Sequence, residues 1–422
     1  MMALVVSLNT PAGIRAMVRC LSSVSASPSA APAPAPAHSV SSPAESMTVD
    51  GVTVEKTIGG KAIIRLDRPE ALNSLSSRAI PLLATHLANW YKGTNMLLVT
   101  SRGKMFSAGG DLKGISRLNE SSRLSFFRDG YRGFNLLARI PVPSVCLVRG
   151  HALGAGVALA AYCRFAAASE RAYFCLPEAA IGFHTDNGAS SFCSKLPSKV
   201  GYFLALTGTN ISAHDAKRVG IVSHVVSSER MNEVERELLE MEDPTDEKVR
   251  NLLDEHEAAS STKKEVILTD EVLGKIEECF GENSVEDVVK RLKQDGSPIA
   301  KRCVGAMRTF SPTSLKVIHR SMDLGLSRPL DQCLRREILI SFRMSNGPDF
   351  KEGKGNGRLK CCLLKKIIGV RAILVDKDKR PAWNPPTLEE VTDDYVERIV
   401  SLPDADEHDL QHLFILVSIL ID

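Results

Sequence analysis

The chain has 422 residues and a mass of 45.9 kDa, a length that suggests about two to three domains as a first prior. Hydrophobic residues are 44% and charged residues 24%, which excludes global disorder and collagen-like architecture. The net charge is only +3 and aromatics are 5%, a poor profile for a nucleic-acid binder.

Residues 1–50 differ from the rest. They carry Arg15 and Arg19, many serines and no acid before Glu45, then a Pro/Ala/Ser run over 28–43. An Arg-bearing, acid-poor start predicts a transit peptide, and the Pro/Ala run predicts a linker; an unaddressed disordered extension is the alternative. From Val52 the pattern turns globular. Val52–Thr57 and Lys61–Asp67 alternate and are split by Gly59-Gly60, a hairpin signal. Ser76–Trp90 has helical period. Met96–Thr100 predicts a strand, and Ser107–Asp111 a turn into a helix. Val142–Val148 predicts a buried strand, followed by a small-residue turn and the apolar helix Val157–Cys163. Ala172–Leu176 predicts a third strand ending at Pro177-Glu178. Strands alternating with helices to about Val226 argue α/β. From Glu229 to Ser345 helical periods prevail, as in Lys264–Phe280, Val285–Lys293 and Pro329–Met344. The expected division is therefore a core over 51–228 and a helical part over 229–400, with a tail over 401–422.

The ten cysteines include no Cys-x-x-Cys pair and no zinc spacing with histidine. Reduced, buried thiols are expected, and no metal site is. The longest apolar run, Leu413–Ile421, is about half of what a bilayer span needs.

Two small-residue turns follow buried strands: Ala108-Gly109-Gly110-Asp111 and Leu153-Gly154-Ala155-Gly156. Small residues admit a ligand to the backbone, and helix N-termini offer free N–H groups. Facing each other, the turns would make an oxyanion hole; each alone also fits tight helix–strand packing. Glu178 ends an apolar strand, where an acid is either paired or functional. Asp186 follows eight residues later, between turn formers; on pattern alone it reads first as an N-cap. Two carboxylates in different environments can divide acid and base work.

Read together, Leu66–Leu75, Phe106–Asp111, Arg149–Gly156, Pro177–Gly188 and Gly201–Gly208 resemble the crotonase (enoyl-CoA hydratase/isomerase) superfamily. Gln294–Ser297, Ser311–Lys316, Asp349–Gly353 and Val370–Asp378 extend the resemblance over about residues 50–400. Within the superfamily the pieces are similar to the branch that hydrolyses 3-hydroxyisobutyryl-CoA. The resemblance implies a crotonase-like ββα spiral core and an α-helical C-terminal part. It implies an acyl-CoA substrate, no separate cofactor, and an oxyanion hole at Gly110 and Ala155. Glu178 matches the catalytic carboxylate and Asp186 the second acid of the hydrolase branch. A place in valine breakdown and a mitochondrial (matrix) location follow from the same likeness.

Several positions depart from that pattern. Ala158 stands where a hydratase has its second Glu, which favours hydrolysis over hydration. Ala155 replaces a Gly. Gly130 replaces an acid that meets the substrate's hydroxyl, and neighbouring Asp129 points about 100° away on a helix. Glu70 stands where a basic residue often serves CoA. His151 and His184 flank the site, His151 as packing. Residues 354–369 interrupt the family pattern with five basic residues and no acid, read as a surface insertion or translated intron. The alternatives are another crotonase activity (enoyl-CoA hydratase/isomerase) and a non-catalytic, hydrolase-like subunit of the mitochondrial ribosome. Oligomeric state is not legible, and neither nucleic acid nor membrane is expected as a partner.

Overall fold

The structure, a computed structural model, describes residues 45–90, 92–262, 266–352 and 381–402. The expected transit peptide, the 354–369 insertion, the Val370–Asp378 motif and the apolar run at 413–421 lie outside them. The first strand, β1 (Glu45–Val49), lies after the Pro/Ala/Ser run and ahead of the expected core start at 51. It pairs antiparallel with β2 (Val52–Lys56) and adds an edge strand.

β2 continues through Gly59-Gly60 into β3 (Lys61–Leu66), the expected hairpin. Helix α1 (Ala79–Trp90) follows, then β4 (Met96–Ser101) and β5 (Met105–Ser107). After α2 (Leu112–Ile115) comes the long α3 (Glu120–Arg139). Asn119 starts α3 by accepting the Ser122 N–H, which satisfies one of the free donors of its first turn. Strands β6 (Ser144–Val148) and β7 (His151–Leu153) lead into α4 (Ala155–Tyr162), and β8 (Phe165–Ser169) and β9 (Tyr173–Cys175) follow. Then come α5 (Ala189–Phe192), α6 (Val200–Thr207), β10 (Ile211–Ser212), α7 (Ala213–Val219) and β11 (His224–Val226).

These strands form two sheets. One has seven strands in the order β1-β2-β3-β4-β6-β8-β11, the other four in the order β10-β9-β7-β5. From β3 to β11 the large sheet is parallel. All six residues of β4 are buried, as expected of a central strand covered on both faces. The pleat sends alternate residues to opposite faces. Ile64, Val99, Cys146 and Ala166 join the main core, while Ile63, Leu98, Val145 and Ala167 join a second, smaller one.

The C-terminal part is helical, as expected: α8 (Met231–Glu240), α9 (Asp246–Ala258), α10 (Asp270–Phe280), α11 (Val285–Asp295), α12 (Pro298–Met307), α13 (Pro312–Gly325), α14 (Leu330–Asn346), α15 (Pro348–Glu352) and α16 (Asp393–Val400). Thr245, Thr269, Ser284, Ser297, Ser311 and Thr392 each cap the helix that follows. Proline stands in the first turn of α12 and α13, where its missing N–H costs nothing. The two parts are not separate bodies. One hydrophobic core runs from Val52 to Val400 and includes Leu315, Leu334 and Ile338 from the helices.

Candidate active site

Both small-residue turns sit at the ends of strands of the four-stranded sheet. β5 pairs with β7, so the turn after each lies against the other. Gly109 has φ +83°, and a Cβ there would stand 3.1 Å from Leu153 O and 3.3 Å from Ala155 N. That closeness and the left-handed backbone are why the position is glycine. The N–H groups of Gly110 and Ala155 donate to no acceptor among the described residues, whereas the flanking amides of Gly109, Asp111 and Gly154 all do.

β7 also pairs with β9, and Gly154 N–H donates to Cys175 O at 3.0 Å. The chain leaving β9 turns at Pro177 into one 3-10 turn, Glu178–Ile181, rather than ending as a strand. This turn brings the Glu178 carboxylate onto the second small-residue turn. A Cβ on Gly154 would lie 2.5 Å from Glu178 Oε1. Glu178 is 7% exposed, and its Oε2 has no hydrogen-bond partner among the described residues. Burial first, and then the charge of Asp186, push its pKa up to about 8.

Asp186 is not an N-cap. The residue before α5 is Gly188, and no side chain of that segment caps the helix. Asp186 instead accepts from the Tyr131 hydroxyl at 2.8 Å and from Asn187 Nδ2. Burial raises its pKa to about 7, against the pull of the Tyr131 hydrogen bond. Two acids with raised proton affinities, the charge of Asp186 adding to that of Glu178, are the arrangement that divides acid and base work.

Position 130 lies in α3 with Gly130 buried, and a Cβ there would meet Ile80 Cγ2 at 3.6 Å. Asp129 is engaged by Arg128 at 2.8 Å. Glu70 is exposed and 3.8 Å from Arg68. Ala158 is buried on α4. His151 packs on Tyr173 with ring centroids 5.4 Å apart. His184 is fully buried and its pKa is pushed down to about 3 by that burial.

Sequence reasoning missed the residues that hold these acids. Tyr131, Glu337 and Ser341 come from α3 and α14. Ser311 N–H donates to Ala179 O at 3.1 Å, tying the start of α13 to the Glu178 turn. Glu337 carried a usable signal: an acid on the face of Cys333, Leu334, Ile340 and Met344 is out of place unless satisfied.

All seven described cysteines (Cys146, Cys163, Cys175, Cys193, Cys279, Cys303 and Cys333) are buried and free, as expected. Two groups of metal-ligand type do form: His224 with Asp254 and Glu257, and His256 with Glu233 and Glu237. Neither was expected and neither contains a site residue. Each already faces a cation, Lys217 beside Glu257 and Arg230 beside Glu233 and His256.

A family model for enoyl-CoA hydratase/isomerase matches residues 61–356 and 358–400. The chain belongs to that family, the crotonases, and the fold follows it. Among its relatives, the mitochondrial 3-hydroxyisobutyryl-CoA hydrolase of Rattus norvegicus is 35% identical over 343 residues, 80% of this chain and 85% of that one. The Homo sapiens protein of the same name is 33% identical over 364 residues, 85% and 90% of the two chains. Among solved structures, a carnitinyl-CoA dehydratase from Mycobacterium thermoresistibile superposes with a TM-score of 0.73 at 27% identity, covering 85% of this chain and 98% of its own. An enoyl-CoA hydratase from Rhodobacter sphaeroides 2.4.1 shares the fold, with a TM-score of 0.67 at 23% identity over 83% and 97% of the two chains. No helix among the described residues is long and apolar enough to cross a membrane.

Proposed function

We propose that this chain is an acyl-CoA thioester hydrolase of the mitochondrial matrix that releases CoA from 3-hydroxyisobutyryl-CoA in valine breakdown. The observation that carries the reading is the buried Glu178 and half-buried Asp186 beside the open amides of Gly110 and Ala155. Ala158, where a hydratase would need a second Glu, supports hydrolysis over hydration. The hydrolase name of the relatives supports the substrate and the compartment.

In this mechanism the thioester carbonyl oxygen accepts from Gly110 N–H and Ala155 N–H, which stabilise the charge it gains in the transition state. Glu178 takes a proton from water as the water oxygen bonds to the carbonyl carbon. The C–S bond then breaks, and the proton on Glu178 passes to the departing thiolate, giving the free acid and CoA. Asp186 remains an anion, held by Tyr131 and Asn187. Its charge raises the basicity of Glu178.

Ile80 opposite Gly130 leaves the acyl group an apolar neighbour and no acid for a 3-hydroxyl. Discrimination between 3-hydroxyisobutyryl-CoA and isobutyryl-CoA is therefore small, below about tenfold in kcat/KM, the usual limit for an apolar pocket meeting an added hydroxyl being ~100-fold. The test is thiol release from (S)-3-hydroxyisobutyryl-CoA, isobutyryl-CoA and crotonyl-CoA. Glu178→Gln should lower turnover by roughly 10²–10⁴-fold. Near-normal turnover in that variant sinks the assignment. Loss of enoyl absorbance from crotonyl-CoA without thiol release would instead make the chain a hydratase, and no turnover at all would favour a non-catalytic role.

A further inference from the structure

Asp186 stands at the end of a chain of buried hydrogen bonds that leads away from Glu178 into the helical part. Tyr131 O–H donates to Asp186 Oδ2 at 2.8 Å. The same phenol oxygen lies 2.5 Å from Ser341 Oγ, and Ser341 Oγ lies 2.6 Å from His184 Nε2. Tyr131, His184 and Ser341 are all buried. Hydrogen counting fixes the direction. Tyr131 has one hydroxyl hydrogen and gives it to Asp186, so Ser341 must donate to Tyr131. Ser341 then has no hydrogen left, so His184 must donate from Nε2. That tautomer leaves Nδ1 bare, and Nδ1 has no hydrogen-bond partner among the described residues. Burial keeps the ring neutral, so the single Nε2 hydrogen is the only one it offers.

One turn earlier on α14, Glu337 grips the backbone that follows Asp186. Its carboxylate accepts Gly188 N–H at 2.6 Å, Ser190 N–H at 3.0 Å and Ser190 O–H at 2.6 Å. Glu337 is fully buried. The clamped stretch contains two consecutive left-handed residues, Asn187 (φ +59°) and Gly188 (φ +80°). Asn187 has to hold a conformation that L-residues populate sparsely.

We propose that Ser341 and Glu337, one turn apart on α14, are positioning residues for Asp186. Ser341 closes a one-way chain of donors from His184 through Tyr131 onto its carboxylate, and Glu337 fixes the backbone that carries it. The proposal rests on the reading of Asp186 as the second acid of the hydrolase. A chain in which every donor points the same way strengthens its last bond, which here favours the Asp186 anion. The groups that face Asp186 are Tyr131 from α3, Asn187 beside it, Glu178 on its 3-10 turn and Glu337 from α14; His184 acts through Ser341.

The experiment titrates Asp186 directly by carboxyl ¹³C NMR in the full chain, its resonance identified by loss in Asp186→Asn, beside the kcat and KM of thioester hydrolysis. Ser341→Ala should raise the Asp186 midpoint by about one unit and lower kcat about tenfold, with KM held within about twofold. Tyr131→Phe, which removes a single oxygen, should raise the midpoint further and stands in if Ser341→Ala does not fold. Glu337→Gln replaces a carboxylate acceptor by an amide donor against Gly188 and Ser190 and should lower kcat, with the Asp186 midpoint little changed because burial already favours the neutral form of Glu337 where Asp186 titrates. An unchanged midpoint in Ser341→Ala and Tyr131→Phe overturns the proposal, whether or not the parent chain turns over. A parent chain without turnover overturns the hydrolase reading by itself, and the NMR titration then still decides the hydrogen-bond chain.

Discussion

Glu178 and Glu337, buried, and Asp186, half-buried, are three acids whose proton affinities are all raised, chiefly by loss of solvent. A group with a raised folded-state pKa binds more protons in the folded than in the unfolded chain between the two values. Stability therefore falls as pH rises through that window. For Glu178 the window runs from 4.5 to about 8, with a slope of at most about 1.4 kcal/mol per pH unit. Glu178→Gln removes this penalty. In thermal melts it should be more stable than the parent at pH 8, with the gain shrinking to nothing towards pH 4.5. A constant gain at all pH values would mean that Glu178 is not held in its acid form by the fold. Kinetically the same residue sets the acid limb: kcat should rise with pH through an apparent pKa near 8. A profile flat from pH 6 to 9 would rule out Glu178 as the base.

At the scale of elements, the site is a junction of turns rather than a single motif. α13 runs beside the 188–190 backbone, and Gly325 is the point of contact. A Cβ on Gly325 would stand 2.1 Å from Ser190 O, which backbone cannot yield cheaply. Gly325→Ala should shift the segment that Glu337 clamps, lowering stability by about 1–3 kcal/mol and kcat together. Gly305, in α12, has nothing within 4 Å of its Cβ position. Gly305→Ala should therefore stabilise by about 0.4–1 kcal/mol through reduced unfolded-state entropy and leave kcat unchanged. Urea titration of the two variants separates the cases; equal effects would show that helix glycine content, not the close approach, governs both.

At the scale of the molecule, residues 52–228 and the helices after them share one core. Ser311 braces the Glu178 turn, and α14 supplies Glu337 and Ser341. Residues 45–228 expressed alone should expose the surface that Leu315, Leu334 and Ile338 cover, and should not give a cooperatively folding protein. A sharp thermal transition from that fragment would make the helical part an independent addition.

What the sequence by itself determined is local or periodic. Alternation and glycine pairs placed the hairpin at 59–60, the central strands and the two small-residue turns. Helical periods from Glu229 to Ser345 marked the C-terminal helices. The acids Glu178 and Asp186 stood out because each lay in an apolar or turn-forming context. Sequence reasoning began the core at 51, after the edge strand Glu45–Val49, since a strand of five residues beside a Pro/Ala run has little composition of its own. It favoured an N-cap for Asp186, because Asp before a helix is the commoner local pattern. Only the tertiary structure decided that Glu337, about 150 residues away, serves that helix start, freeing Asp186 for Tyr131. The strength of a buried carboxylate depends on which donors and charges surround it. Those neighbours come from α3, α14 and a 3-10 turn far apart in the chain, so no window of sequence contains them.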